Sequence, residues 1–317
     1  MARPAVAVVV ATRDRPAMLD ACVASLRATL ADGDELIVVD SASRDAAQIR
    51  SVAGAHGATY VRCDVPGASR ARNLGWRSAH AEVIAFVDDD ARVRPGWADA
   101  LGHALGDEPG VGFVTGRLDH PDPDNPVPQP VAVFDADESF LIDKRTPEPY
   151  GHGANHGVRR EALEKIGGFD ERMGAGEEFR AAEDIDLWDR LLHAGYVGRY
   201  VPAMGGWHEQ WRRQRHLPGL HWSYGFGSGV RVAKVIRADR ARAQRTTRLL
   251  FWEWGARLTW RKLRYRQVFQ AVVPIIRMAG IVAGFARAIV IPVVDGHLAP
   301  KPRQGARLRG GRRAGPR

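Results

Sequence analysis

Three short apolar runs constrain this chain more than any other feature: Val6-Ala7-Val8-Val9-Val10, Leu36-Ile37-Val38-Val39 and Val83-Ile84-Ala85-Phe86-Val87. None contains a polar residue. Uninterrupted runs of four or five fit strands that are covered on both faces. Residues 58–61 form a weaker fourth run. The segments between them, 16–30, 45–56 and 69–80, carry helical patterns, and Pro16 fits a first helical turn. Alternation of this kind predicts a Rossmann-like α/β fold, a mainly parallel sheet with helices on both faces. Further along, 154–158 and 197–202 read as strands and 160–166 as a helix. Residues 183–194 read as an amphipathic helix with Ile185, Trp188, Leu191 and Leu192 on one face. Residues 119–130 hold five prolines and three aspartates and are expected to form a surface loop.

Charge divides the chain in two. Residues 1–210 carry 22 Lys/Arg and 34 Asp/Glu, a balance of −12; residues 211–317 carry 24 Lys/Arg and 3 Asp/Glu, a balance of +21. A basic second part points to an anionic partner, with nucleic acid and an anionic membrane surface as the two candidates. Two cysteines, Cys22 and Cys63, lie outside any ligand spacing, give no disulfide framework and fit a reducing cytosol. Residues 5–11 are too short an apolar stretch for a signal peptide and read better as a buried strand.

The chemistry-bearing residues collect at strand ends. Asp88, Asp89 and Asp90 follow the third apolar run directly, where ligands of open α/β sheets bind. Clustered carboxylates repel one another without a cation, and hard oxygen ligands fit Mg²⁺ or Mn²⁺; a solvated acidic turn is the alternative. Asp40 ends the second run, either as a contact to a ribose or base or as a cap of the next helix. Thr12 and Arg15 follow the first. Gly67-Ala68-Ser69-Arg70-Ala71-Arg72-Asn73 opens a helix, whose N-terminus and arginines favour an anion, although Ser69 can be a plain cap. Glu183-Asp184-Ile185-Asp186 opens the amphipathic helix, as macrodipole partners or as a general base kept ionised there. His208 follows a strand and is either structural or a metal ligand; His152 and His156 are less informative. No Ser-His-Asp order, P-loop or zinc spacing is present, which leaves hydrolase and ATPase readings without support.

Read in order, these residues resemble the family 2 glycosyltransferases of GT-A fold. The landmarks are 8–16 (Val-Val-Val-Ala-Thr-Arg-Asp-Arg-Pro), 38–41 (Val-Val-Asp-Ser), 66–75 (Pro-Gly-Ala-Ser-Arg-Ala-Arg-Asn-Leu-Gly), Phe86 to Asp90, Gly167-Gly168-Phe169-Asp170-Glu171, and Glu183 to Leu187. The resemblance covers roughly residues 6–208. It implies an inverting enzyme that moves a sugar from a nucleotide-diphosphate donor to an acceptor hydroxyl. By it Thr12, Arg15, Asp40, Arg72, Asp88 and Asp89 bind the donor. Asp90, Asp88 and His208 hold Mn²⁺ or Mg²⁺, and Asp184 is the catalytic base. Asn155, Asp170 and Glu183 fall on the acceptor side. A third consecutive Asp leaves the D-x-D register open between Asp88 and Asp89.

The expected organisation is a catalytic domain over 1–210, with a donor half to about 95 and an acceptor half after it. A basic, aromatic-rich helical region over 211–295 and a disordered tail over 296–317 follow. Residues 271–294 are the most apolar segment, but Arg277 and Arg287 interrupt them and Pro274 and Pro292 bracket them. An interfacial helix or packed hairpin is therefore favoured over a transmembrane span. The expectation is a peripheral protein on the inner face of the plasma membrane, with a glycan or lipid-linked acceptor, a role in cell-envelope polysaccharide synthesis, and no nucleic-acid partner. Two competing readings remain. A sugar nucleotidyltransferase would carry a Gly-rich first loop, and residues 11–16 have no glycine. A non-enzymatic basic binding protein leaves the strand-end acids unexplained.

Overall fold

The computed structural model describes residues 3–120, 133–209 and 214–300. Each apolar run is a strand: β1 (Val6–Thr12), β2 (Glu35–Ser41), β3 (Thr59–Cys63) and β4 (Val83–Asp88). They alternate with α1 (Pro16–Arg27), α2 (Ala46–Ala55) and α3 (Ala68–Ser78). Every residue from Val6 to Val10 is at most 1% exposed, as expected of a strand covered on both faces. The next elements are β5 (Ala91–Val93), α4 (Trp97–Gly106), β6 (Val111–Asp119), β7 (Phe140–Ile142), β8 (Asn155–Arg159), α5 (Arg160–Ile166), α6 (Glu183–His193) and β9 (Val197–His208). The strands form one sheet in the order β3-β2-β1-β4-β8-β6-β9-β5, with β7 also paired to β9. The β3-β2-β1-β4 half is parallel, and β8 enters antiparallel to both β4 and β6. The expected mainly parallel GT-A sheet is thus present. Most of the expected 119–130 loop falls outside the described residues.

The two sides of the sheet are covered by separate cores. One is built on Leu19, Val23, Leu26, Trp97 and Leu101, the other on Trp76, Phe86, Phe113, Phe169 and Trp188. Cys22 and Cys63 are buried free thiols, and burial pushes both above their ordinary pKa, in line with a packing role.

Beyond β9 the chain is helical: α7 (Leu217–Ala238), α8 (Arg240–Arg248), a π-helical stretch (Leu249–Arg257), α9 (Leu258–Arg264) and α10 (Val268–Ala288). A short hairpin of β10 (Val293–Val294) and β11 (His297–Leu298) follows. Helix α10 starts before Pro274 and carries that proline inside it, so Pro274 does not bound the segment. Helices α7 and α10 lie backbone to backbone. A Cβ on Gly225 or Gly229 would collide with the carbonyl oxygen of Arg277 or Ile281, and one on Gly284 with that of Phe226. Gly280 and Gly284, spaced as G-x-x-x-G in the sequence, a pattern that permits close helix packing, are thus the α10 side of a contact with the α7 backbone.

This region is fastened to the sheet domain by buried cations. The Arg231 guanidinium bonds Asp189 and Glu148. Lys234 Nζ lies 2.6 Å from both Asp170 and Asp186, and Arg242 bonds Asp189 at 2.7 Å and the Tyr150 hydroxyl at 2.8 Å. Part of the basic excess thus answers acids of the first half. His297 and Leu298, expected to belong to a disordered tail, are instead packed on the sheet domain. His297 bonds the Ile166 carbonyl, the Leu298 amide donates to Asp170, and Leu298 is buried; residues 301–317 lie outside the described part.

Substituting Gly284→Ala is expected to destabilise by about 1–3 kcal/mol, because the new methyl meets backbone that has nowhere to move. Gly219→Ala, where a Cβ meets nothing within 4 Å, should leave the midpoint of chemical denaturation unlowered. Comparing the two urea midpoints checks the seam.

Candidate active site

Strand register assembles the site. Ala11 is paired with Asp88 and Thr12 with Asp40, so the carboxyl ends of β1, β2 and β4 open on one crevice. β5 runs antiparallel to β9 with Ala91 opposite His208, which brings Asp90 Oδ1 to 3.1 Å from His208 Nε2. The Asp88 amide donates to the Ala154 carbonyl at 3.2 Å, so the turn before β8 lies over the strand end. At that turn a Cβ on Gly153 would collide with the Asp184 carboxylate; only glycine lets the first turn of α6 approach so closely.

The three consecutive aspartates point in different directions. Asp89 turns inward, accepting from the Thr12 hydroxyl at 2.7 Å and from Arg15 Nη1 at 2.9 Å. Asp88 and Asp90 face His208, and one donor atom from each of the three lies within 4.8 Å of the others. Ligands about 2.1 Å from an octahedral ion stand roughly 3–4 Å apart, so a single divalent cation can reach all three. The two carboxylates fit Mg²⁺ or Mn²⁺, and the imidazole favours the transition metal. Of the two aspartates left open in the sequence, Asp88 is the one that faces this candidate cluster.

Arg72 ties this cluster to α6. From the second turn of α3 it donates to Asp88 Oδ1 at 2.7 Å and to Glu183 Oε1 at 2.8 Å. Burial pushes the Asp88 carboxyl up, but Arg72 and the neighbouring imidazoles together outweigh it and hold Asp88 below its ordinary pKa. Burial raises Glu183 against the pull of Arg72. Burial also raises Asp184, opposed by the Ile185 amide and reinforced by the nearby Asp88 charge. The helix N-terminus alone was expected to keep Asp184 readily ionised; the net shift is upward because desolvation outweighs it. Burial pushes Asp89 up to about 6 and His152 down to about 4. His152 is thus a neutral imidazole, its ring centroid 6.0 Å from that of His208.

Other expected site residues are occupied within the protein. Asp40 is fully buried, bonding the Ser43 amide, the Tyr60 hydroxyl and Arg62 at 2.6 Å. Glu183, expected on the acceptor side, is held by Arg72. Asn155 and Asp170 are corrected more strongly. Asn155 accepts from Trp97 Nε1 and donates to the carbonyls of Met204 and Arg117 at 1% exposure, which leaves it a structural cross-tie. Asp170 binds Lys234 and the Leu298 and Arg172 amides, which makes it an anchor of the helical region. Gly153 and the Tyr60–Arg62 pair were missed. A glycine two residues before a strand was the only available signal for the first.

Residues 7–167 match a family model described as Glycosyl transferase family 2, which is about half of the chain. The chain belongs to glycosyl transferase family 2. It is 32% identical over 215 residues to the pre-mycofactocin glycosyltransferase of Mycobacterium tuberculosis (strain ATCC 25618 / H37Rv), covering 62% of this chain and 41% of that protein. It is 41% identical over 64 residues to the N-acetylglucosaminyl-diphospho-decaprenol L-rhamnosyltransferase of the same strain, 20% of this chain and 19% of that protein. The chain therefore spans well under half the length of these relatives. Among solved structures it is similar to the mannosyltransferase PcManGT from Pyrobaculum calidifontis in complex with GDP-Man and Mn²⁺. The TM-score is 0.60 at 19% identity, covering 89% of this chain and 88% of that one. S. aureus TarS 1-349 gives a TM-score of 0.57 at 15% identity, covering 95% and 97%. At such identities the likeness shows the GT-A fold alone.

This family 2 chain should show the Asp89 shift as a pH-dependent stability. With its folded pKa raised to about 6, Asp89 binds a proton in the folded state that the unfolded chain has already released. Stability relative to Asp89→Asn should accordingly fall as pH rises from about 4 to about 6 and level off above 7. The total change is roughly 2–3 kcal/mol. Urea denaturation of both proteins across that range measures it.

Proposed function

We propose that the chain transfers a sugar from a nucleotide-diphosphate donor to an acceptor hydroxyl with inversion at the anomeric carbon. The observation that carries this reading is the shared cleft of two functional units. The Asp184 carboxyl lies close enough to Asp88 for the charge of one to raise the pKa of the other, and Asp88 belongs to the three-ligand cluster. Asp184 takes the proton of the acceptor hydroxyl as that oxygen attacks the anomeric carbon, and its raised pKa makes it a better base than an ordinary aspartate. The bond from the anomeric carbon to the diphosphate breaks, and its electron pair leaves with the nucleotide. Asp88, Asp90 and His208 would hold a Mn²⁺ or Mg²⁺, which when bound would supply a Lewis acid for the charge on that leaving group. Glu183, committed to Arg72, is not free to act as a covalent nucleophile, which favours a single displacement over a two-step route.

The complexes of PcManGT with GDP-Man and Mn²⁺ and of TarS with UDP support a nucleotide donor and a metal. The diphospho-decaprenol substrate in the name of one relative supports a lipid-linked acceptor; a place in cell-envelope polysaccharide assembly at the inner face of the membrane is part of the same proposal.

A thermal-shift panel of nucleotide sugars, run with and without Mn²⁺, should show one donor class that stabilises only with the metal. His208→Ala should weaken that metal-dependent shift. Asp184→Asn should keep it while transfer falls about 10²–10⁴-fold, the usual contribution of a general base. Loss of donor binding in Asp184→Asn would overturn the assigned role.

A further inference from the structure

Helix α10 presents a continuous apolar stripe that nothing among the described residues covers. Val268, Val272, Ile275, Ala279, Val282 and Ala286 recur at alternating spacings of four and three, and all six are exposed, Val268 at 63% and Val282 at 58%. Eighteen residues of helix make this stripe about 27 Å long. It carries no charge. Immediately before it, the turn that leads out of α9 exposes Leu263 and Tyr265 in alternation with Arg264 and Arg266. Tyrosine with an apolar neighbour and arginine on either side is the composition that settles at a bilayer interface, with ring and stem in the acyl boundary and charge among the headgroups.

We infer that this face of α9 and α10 seats the protein on an anionic lipid bilayer, with α10 lying in the plane of the interface. Two observations choose this occupant. The chain has no acidic residue from Trp254 through Val294, while it carries Arg257, Arg261, Lys262, Arg264, Arg266, Arg277 and Arg287. A second copy docked on the stripe would meet charges of its own sign, whereas self-pairing helices normally flank such a seam with both signs. An anionic surface attracts each exposed cation. The second observation concerns orientation. Residues 270–288 are long and apolar enough to span, but the opposite face of α10 is locked against the α7 backbone at Gly225, Gly229 and Gly284. Only one side of the helix is available to lipid. That is the condition of an interfacial helix: a span would have to carry α7 into the bilayer with it, and α7 is pinned to the sheet domain through Arg231 and Lys234.

The test is co-sedimentation of the full chain with vesicles of phosphatidylcholine alone or with about 30% phosphatidylglycerol, at about 0.1 M salt where Coulomb attraction still operates. It needs neither donor nor metal, so it stands or falls separately from the transfer reaction. The wild-type chain should partition at least tenfold more strongly onto the anionic vesicles. Val272→Glu with Val282→Glu changes only exposed positions and should abolish that binding. Arg264→Glu with Arg266→Glu should weaken it at least tenfold while the thermal melt is unchanged. Equal binding of either variant and wild type would overturn the proposal. So would sedimentation velocity that shows a wild-type dimer dissociated by the Val272→Glu/Val282→Glu pair, since the stripe would then belong to a second copy.

Discussion

Arg72 lies between two carboxylates that come from distant parts of the chain, Asp88 at the end of β4 and Glu183 in the first turn of α6. Its side chain is 9% exposed, so water does little to solvate the charge, and both partners sit at hydrogen-bonding distance. A guanidinium can hold two acids at once because its planar fork offers donors in two directions; an ammonium at this place would lose the geometry. Without that cation, Asp88, Glu183 and Asp184 would meet as partly buried like charges. A buried ion pair stripped of one member typically costs several kcal/mol. The crevice can exist with its acids ionised because Arg72 is there, and the relation between the ligand cluster and the candidate base is set by one side chain on α3.

Helix α6 is the second half of that arrangement. Its first turn presents Glu183 and Asp184 to the crevice. Its opposite side presents Asp186 and Asp189 to Lys234, Arg231 and Arg242. The helix carrying the candidate base is thus gripped from the sheet domain by Arg72 and from the helical region by three buried cations. A basic C-terminal half is readily taken for a surface that seeks an external anion. Here several of its cations are consumed internally, and among the described residues that stay exposed, Arg257, Arg261, Arg264 and Arg266 lie together around α9 and the turn before α10.

What could be read from the sequence follows from how local each signal is. β1, β2 and β4 were legible because a strand covered on both faces must be apolar at every position, a condition each short run meets by itself. The crevice was legible because polar residues that end parallel strands are carried to the same edge whatever else happens. The register of Asp88, Asp89 and Asp90 was not. It depends on Thr12 and Arg15 claiming the middle aspartate and on His208 arriving opposite Ala91 through β9 pairing. Asn155 and Asp170 show the same limit from the other direction. A buried polar residue whose partners are Trp97, Met204, Lys234 or Leu298 looks like a ligand-binding residue until those partners are placed. The Gly280/Gly284 spacing was visible, but its meaning required the matching glycines of α7.

Helix α7 joins these two levels of organisation. Along one side its glycines meet the α10 backbone, and along another Arg231 and Lys234 reach into the acids of α6. Neither contact tolerates sliding: the first is backbone against backbone, and the second would expose or separate buried charges. The outward stripe of α10 and the Asp184 carboxylate therefore keep a fixed relative orientation. A surface that receives the stripe also fixes the direction in which the crevice opens. For an acceptor dissolved in bulk water that coupling would bring nothing. For an acceptor held in a bilayer it removes much of the orientational freedom that transfer would otherwise have to overcome, as expected of a site that gains rate by positioning.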